Sequence, residues 1–362
     1  MSPRPSLRRT SLLVALAAAL AGCGGNGGGD EAEQIRSLEE LAAKIPDPGP
    51  GLGEAGAPRS LTVGWKTDFA RHSVPLSEFR SGGPGKDGIP AIDRPQLVPV
   101  AGVDFLQPQE PVIALELGDE ARAYPLQILI WHEIANDEVA GLPVAVTFCP
   151  LCNTALVFDR RVRGRTLDFG TTGNLRHSDL VMYDRQTESW WQQFSGGALV
   201  GELTGARLRR VPARIVAWRE FQADHPGGHV LSRETGHDRS YGENPYVGYD
   251  DVASPPYFAT PNENDDRLQP KERVVYLERG SEAIAIPFST LRARRVVEVD
   301  VGGQRLTVTW RAGVASALDA QSIGDGRDVG SATVTAGGRA VPFDQPFWFA
   351  VAAFRPDVRV VR

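Results

Sequence analysis

The chain has 362 residues, 45 acidic and 39 basic side chains, a formal net charge of -6 and three cysteines. The acidic balance argues against nucleic acid as a partner, and three cysteines cannot form the disulfide framework of a small secreted domain. The length suffices for one large domain or two modest ones.

The first 22 residues have the layout of a cleaved signal peptide. Three arginines precede an apolar stretch that ends at Leu20 and is too short to span a bilayer. The run LAGC then reaches Cys23 and resembles the lipobox of bacterial lipoproteins. We therefore expect lipid on Cys23 and an extracytoplasmic protein anchored to a membrane of the bacterial cell envelope. No later segment offers eighteen consecutive apolar residues, so we expect no other membrane crossing.

Residues 23–58 are predicted to form a lipidated flexible tether. Glycine-rich and polar sequence follows Cys23, and apolar residues recur at helical spacing only between Ile35 and Ile45. Cleavage removes three arginines and no acid, which changes the formal charge from -6 to -9. The folded body is expected at residues 59–362.

An internal repeat is the clearest pattern within that body. Residues 112–156 align without a gap on residues 274–318, and 15 of the 45 positions are identical. Gly141 matches Gly303 and Thr147 matches Thr309 at the same offset of 162. Chance similarity seldom keeps glycine and proline in register over such a length, so we interpret the pattern as a duplication.

Both copies are predicted to contain β-hairpins. In copy two, the runs VVEVDV and RLTVTW flank Gly302-Gly303, which is typical of a hairpin with a two-residue turn. In copy one, this predicts that WHEIAND is a strand leading through Ala140-Gly141 into PVAVTFC.

Further hairpins are predicted around Arg163-Gly164 and around the polar run RQTES, and short helices in REFQADHP and FWFAVAAF. The expected fold is therefore mostly β with a minor α+β character. Duplicated hairpin units should form a compact body with a few short helices.

Several longer runs resemble a known bacterial family. GGPGKDGIPAIDRP, ARAYPLQILIWHEIAND, PVAVTFCPLCNTALVFDR, SDLVMYDRQTESWWQQFSG, NPYVGYD and FWFAVAAFRPD occur in the order of the domain of unknown function numbered 3179, over about residues 59–362. The resemblance implies an extracytoplasmic domain and supplies no mechanism. His177 stands where a small polar residue or Asn is expected, and Arg355 where His or Tyr is expected, so neither is carried over as a family site.

The chemistry of the chain is expected at Cys149-Pro150-Leu151-Cys152. Its two thiols can form a reducible disulfide or give a metal two thiolates from one turn. Thioredoxin-like enzymes place the second cysteine in a helix, whereas the sequence after Cys152 predicts a hairpin. A four-cysteine zinc knuckle within one chain is excluded because only one pair exists.

His132 is the predicted third member of this site. If Ala140-Gly141 is a two-residue turn, counting outward places His132 opposite Cys149, at a Cβ separation of about 4.5 to 5.5 Å. Copy two has arginine, arginine and valine in place of the histidine and two cysteines, so the hairpin forms without them. We expect Cys149, Cys152 and His132 to bind copper or zinc. The candidates for a fourth ligand are Met182 and His177.

The residues leave three functions open. The first is a metal site used in metal handling or electron transfer, and the second is a thiol-disulfide oxidoreductase with Cys149 and Cys152 as catalytic groups. The third is a non-catalytic module that binds glycans or envelope proteins. Trp190 and Trp191 could stack on a sugar in this third case. Neighbouring strand residues face opposite sides, however, so one of the two is expected in the core.

Overall fold

The computed structural model describes residues 59–362, and the predicted signal peptide and the whole predicted tether, which includes Cys23, lie outside this range. Of the described residues, 40% are in strands and 13% in helices, and small sheets are arranged like the five blades of a propeller. These proportions confirm the mostly β prediction. Within the described range, no helix has the length and apolarity that a membrane crossing requires.

The strands of the first half are β1 (Phe79–Ser81), β2 (Ile92–Asp93), β3 (Leu97–Pro99), β4 (Pro111–Leu117), β5 (Glu120–Pro125), β6 (Ile134–Val139), β7 (Leu142–Cys149), β8 (Thr154–Asp159), β9 (Arg161–Val162), β10 (Arg165–Thr166), β11 (Phe169–Arg176) and β12 (Asp179–Asp184). Those of the second half are β13 (Trp190–Gln192), β14 (Gly197–Val200), β15 (Arg209–Val211), β16 (Arg214–Ala217), β17 (His229–Leu231), β18 (Val274–Arg279), β19 (Glu282–Pro287), β20 (Val296–Val301), β21 (Gln304–Arg311), β22 (Ser331–Ala336), β23 (Arg339–Ala340) and β24 (Arg359–Val360).

The α-helices are short: α1 (Arg59–Thr62), α2 (Leu126–His132), α3 (Trp218–Asp224), α4 (Phe288–Arg294) and α5 (Trp348–Phe354). Single 3-10 turns occupy Leu76–Glu78, Val100–Gly102 and Ile323–Asp325. The three five-stranded sheets have the orders β1-β11-β12-β13-β14, β15-β8-β7-β6-β2 and β16-β4-β5-β17-β3. The other sheets are β18-β19-β24, β20-β21-β22-β23 and the ribbon β9-β10.

The predicted duplication is confirmed by strand register. In copy one Ile134 pairs with Thr147, and in copy two Val296 pairs with Thr309, which is the same pairing at the offset of 162. The first hairpins, β4-β5 and β18-β19, also match pair for pair. Helices α2 and α4 begin and end at equivalent positions. Each copy is therefore a hairpin, a seven-residue helix and a second hairpin.

The repeat extends further than the sequence comparison reached. Helix α3 leads into β17, which runs parallel to β5, and α5 leads into β24, which runs parallel to β19. The Trp218 N–H donates to the Glu110 carbonyl at 2.8 Å, and the Trp348 N–H donates to the Glu272 carbonyl at 2.9 Å. Each of these helix-strand units therefore docks on its own copy in the same way.

Glu116 and Glu278 have equivalent partners in the two copies. Glu116 lies 3.3 Å from the His225 ring, and Glu278 lies 2.7 Å from the Arg355 guanidinium. His225 and Arg355 both follow the last residue of the helix-strand unit's helix. This matched pairing indicates a structural role for the two glutamates and for Arg355.

The strand predicted for WHEIAND is wrong at its beginning. Trp131 and His132 end helix α2, Glu133 adopts the left-handed conformation with φ of 59°, and strand β6 begins only at Ile134. The helix is buried on nearly every side. A continuous apolar run of this length does not distinguish a buried helix from a buried strand, and so the sequence pattern misled the assignment.

The other predicted elements are found, with one reduced in extent. β12 pairs with β13 across the run RQTES, and α3 and α5 occupy the two predicted helices. The hairpin at Arg163-Gly164 is only a two-residue ribbon, because the preceding strand β8 pairs with β7 and β15 instead. Trp190 and Trp191 are both fully buried, on opposite faces of β13, in two different core clusters.

A close backbone approach at Gly173 generates a test of the fold. Gly173 has φ of 73° in an irregular part of β11, and a Cβ there would lie 1.7 Å from the Pro84 carbonyl oxygen. Gly164 has a similar φ of 78° but open space around it. We expect Gly173→Ala to lower the free energy of unfolding by about 3 kcal/mol, and Gly164→Ala by about 1 kcal/mol. Urea unfolding of both variants measures this, and equal losses would contradict the close approach.

Candidate metal centre

The hairpin β7-β8 positions the two thiols. Cys149 is the last residue of β7 and pairs with Thr154, so the four residues between them form the turn that carries Cys152. Asn153 allows this turn by adopting a φ of 57°, a conformation that Asn tolerates better than most residues. Its side chain donates to the Gln345 carbonyl at 2.7 Å, and the Cys152 carbonyl accepts from the Phe347 N–H at 2.9 Å. The turn is thus fixed by the segment that precedes α5.

Asp179 joins the two thiols to form one group. The sulfur atoms of Cys149 and Cys152 and a carboxylate oxygen of Asp179 all lie within 4.8 Å of one another. All three side chains are fully buried, and both cysteines are free thiols. The Cys152 thiol donates to Asp179 Oδ1 at 2.9 Å. Two soft sulfur ligands and one oxygen ligand therefore converge on one point.

Neighbouring amides and hydroxyls hold these groups in place. Asp179 Oδ2 accepts from the Gln192 side chain and, at 2.9 Å, from the Phe194 N–H. Thr154 Oγ1 lies 3.0 Å from the Cys152 sulfur and donates to Gln193 Oε1 at 2.6 Å. Such surrounding hydrogen bonds orient metal ligands and fix their geometry.

Burial dominates the electrostatics of this group. Desolvation raises the pKa of both thiols, and it raises the pKa of Asp179 to about 6 against the lowering effect of its hydrogen bonds. Asp179 forms no ion pair with any described lysine, arginine or histidine. Charged forms are costly in such surroundings unless a cation balances them. A bound metal ion would supply that charge and would deprotonate the thiols.

Two further acids belong to the same buried region. Burial raises the pKa of Glu133 to about 8 and that of Asp344 to about 7, with Asp179 adding to both shifts. Asp344 Oδ1 accepts from the Ala155 N–H at 3.1 Å and the Gln345 N–H at 2.7 Å, but Oδ2 is buried without a partner. The region therefore concentrates acidic groups beyond the three that meet.

His132 does not lie opposite Cys149 in a hairpin, because helix α2 holds it. Its Nδ1 donates to the Pro90 carbonyl at 2.7 Å, which leaves Nε2 to accept from the Tyr241 hydroxyl at 2.6 Å. Burial lowers the pKa of His132 to about 4, so the ring is neutral. Both nitrogens already have protein partners. In the described part of the chain, Asp179 and not His132 completes the thiol group.

Met182 and His177, the candidates for a fourth ligand, lie in different parts of the fold. Met182 is three residues beyond Asp179 on β12 and is buried in the main core cluster, which also contains both cysteines. His177 lies in the turn between β11 and β12, with its ring 3.3 Å from Glu78. It lines an open cleft of about 920 Å³ together with Ser178. Among the described residues, His177 is not part of the thiol group.

The family model for a protein of unknown function (DUF3179) matches residues 86–358. The chain belongs to this family. The match confirms the resemblance seen in the sequence, and it includes Cys149, Cys152 and Asp179. No curated protein and no solved structure matches the chain significantly.

Asp179 is the member of the thiol group that sequence reasoning missed. It opens the apolar run DLVMYD, which we interpreted only as a strand. An acid at the buried start of such a strand was a usable signal, because a buried carboxylate requires a partner. Asp179 lies close to Cys152, 27 positions earlier, because of how two sheets pack. Asp179 also lies outside the repeat, so the repeat could not reveal it.

The buried Asp344 predicts a pH-dependent stability. Its pKa is raised from 3.8 to about 7, so the folded protein keeps a proton that the unfolded chain releases above pH 4. Stability from this group is therefore lost as pH rises from about 4 to about 7, by at most about 4 kcal/mol. Asp344→Asn should remove this part of the dependence.

Denaturant unfolding of metal-free protein between pH 4 and pH 8 measures it. The relevant quantity is the difference between wild type and variant at each pH, because Glu133 and Asp179 titrate in both proteins. Curves that stay parallel across the range would rule out a raised pKa for Asp344.

Proposed function

We propose that the protein is a membrane-tethered, extracytoplasmic lipoprotein that holds a soft metal ion, zinc or copper(I), for metal handling in the cell envelope. The observation that carries the proposal is the convergence of Cys149, Cys152 and Asp179 within 4.8 Å in a fully buried position. Thiolate sulfur suits both metals, and the carboxylate oxygen adds a ligand that zinc accepts readily.

Burial of the ligands favours holding a metal over turning over a substrate. The thiols have no exposed surface, and the cleft of about 920 Å³ is lined by His177 and Ser178 instead of the cysteines. A closed set of ligands is typical of structural and storage sites, whereas catalytic zinc keeps an open position. Copper(I) at the same ligands would allow electron transfer, and zinc would not.

The thiol-disulfide oxidoreductase alternative has weaker support. Exchange requires an accessible thiolate with a lowered pKa. Cys149 and Cys152 are inaccessible and their pKa values are raised. The glycan-binding alternative also has weaker support, because Trp190 and Trp191, the aromatic residues that could stack on a sugar, are both buried.

The ligand assignment predicts which variants lose metal. Cys149→Ser and Cys152→Ser should lose almost all bound metal, and Asp179→Asn should bind at least about tenfold more weakly. His132→Ala is the matched control, because the His132 ring is bonded to Pro90 and Tyr241 instead of the thiols. Elemental analysis of protein purified without metal-affinity steps measures the content of zinc and copper.

Two outcomes would overturn this assignment. Wild-type protein that retains neither metal, even after reduction and reconstitution with zinc or copper(I), would remove the proposed function. Loss of metal in His132→Ala with no loss in Asp179→Asn would instead restore the ligand set expected from the sequence.

The anchor is tested independently of the metal. Cys23 carries the whole predicted attachment, so Cys23→Ala should abolish labelling with a radioactive fatty acid and release soluble protein. Cell fractionation with a membrane-integral marker protein as control measures the release. Membrane retention of the unlabelled variant would contradict the tether.

A further inference from the structure

Arg176 is directly opposite Asp179 across the turn between β11 and β12, yet the two side chains form no ion pair. Their backbones pair on either side of His177-Ser178, and residues so paired have Cβ atoms about 4.5 to 5.5 Å apart. The Arg176 guanidinium binds Glu78 instead. Its Nε donates to Glu78 Oε2 at 2.7 Å, and a second guanidinium nitrogen lies 2.6 Å from the same oxygen. The positive charge of Arg176 is therefore balanced by Glu78 and not by Asp179.

The Gln192 side chain connects Arg176 to Asp179. Arg176 Nη1 donates to Gln192 Oε1 at 3.2 Å, and Gln192 Nε2 donates to Asp179 Oδ2. A guanidinium group has donors and no acceptor, so Arg176 can bond only to the carbonyl end of the amide. The NH2 end of Gln192 must then face Asp179. Arg176 in this way ensures that Gln192 donates a hydrogen bond to Asp179.

The second donor to Asp179 Oδ2 is also linked to Arg176. This donor is the Phe194 N–H, at 2.9 Å. The Phe194 ring stacks on the Phe354 ring with centroids 4.6 Å apart, and the Arg176 guanidinium lies 5.5 Å from the centroid of the Phe354 ring. Two N–H groups thus occupy Oδ2. The other oxygen, Oδ1, faces the Cys152 thiol at 2.9 Å.

Glu78 brings the outer end of this series of contacts to the surface. It lines the cleft of about 920 Å³ together with His177, and its carboxylate lies 3.3 Å from the His177 ring. The side chain of Glu78 is 28% exposed and that of Arg176 is 14% exposed, whereas Asp179 is fully buried. The contacts therefore run from the wall of the cleft to a member of the thiol group that solvent does not reach.

We propose that Arg176 is a positioning residue of the metal centre. Through Gln192 it presents Asp179 Oδ1 to the metal as a single charged oxygen ligand, and Glu78 anchors Arg176 from the cleft. The inference rests on the proposed metal site. Because Glu78 balances the guanidinium, Arg176 orients the carboxylate without neutralising it, and the negative charge is left for the metal ion. The two N–H bonds to Oδ2 also favour the ionised form of Asp179.

The test compares Arg176→Lys with Arg122→Lys in the full-length protein. Both arginine side chains are 14% exposed and both pair with carboxylates. The partners of Arg122 are Glu120 and Asp137, which lie outside the thiol group. Lysine keeps the charge but lacks the fixed fork of donors with which a guanidinium bonds to two partners. Chelator competition should show that Arg176→Lys binds zinc at least about tenfold more weakly, while Arg122→Lys matches wild type.

A pH profile of zinc binding separates positioning from a structural role. In Gln192→Glu a carboxylate replaces the amide that donates to Asp179, and two facing carboxylates retain a proton to higher pH. Zinc must displace that proton, so half-maximal zinc binding should move upward by at least about 1 pH unit. Gln186→Glu is the matched control, because Gln186 also donates to a carboxylate, that of Asp168, on the surface. Its profile should match wild type.

The failures of the two proposals are distinguishable. If wild-type protein binds zinc, three results overturn only the role of Arg176: wild-type affinity in Arg176→Lys, an equal loss of affinity in Arg122→Lys, or an unshifted profile in Gln192→Glu. The profile also decides the matter if Arg176→Lys does not fold, and failure of both variants to fold would mean a structural role. If wild-type protein binds neither zinc nor copper(I), the metal centre is overturned, and the role of Arg176 with it.

Discussion

The exclusion of water from a group of ionisable side chains is the constraint on which the candidate metal centre depends. Two thiols and the carboxyl groups of Glu133, Asp179 and Asp344 share one buried region, and none of them forms an ion pair with a described basic residue. Without a nearby cation, these groups stay buried only in their protonated, uncharged forms. A bound soft metal ion would replace those protons with its own charge, so a metal-bound form would differ from the metal-free protein mainly in protonation.

The duplication separates scaffold from chemistry within a single chain. Both copies keep the hairpin registers, the left-handed end of the helix and the glutamate that pairs with the helix-strand unit. Copy two replaces both cysteines and the buried Glu133 without altering those features. The polar groups of copy one are therefore not needed for folding of the unit. Burying them lowers the folding stability of copy one.

The sequence predicted the local secondary structure, but not which residues come together to form the site. Hairpin registers and the offset of 162 follow from glycine, proline and alternating apolar residues, which act between neighbours in the chain. The position of His132 was misjudged because the apolar run before it fits a helix and a strand equally well. Asp179 reaches Cys152 through packing of different sheets, and no local pattern reports such packing.

The turn that carries the thiols is held by the far end of the chain. The Cys152 carbonyl, the Asn153 amide and the Ala155 N–H all bond to residues between Asp344 and Phe347, and these residues lead directly into helix α5 of copy two. The residues that cover the thiol turn of copy one therefore come from the segment that leads into helix α5 of copy two. Opening the turn would break these bonds and expose the buried acids together, so access to the thiol group is coupled to contacts between the repeats. Copy two, which lacks the cysteines, would therefore help to retain an ion bound at the thiol group of copy one.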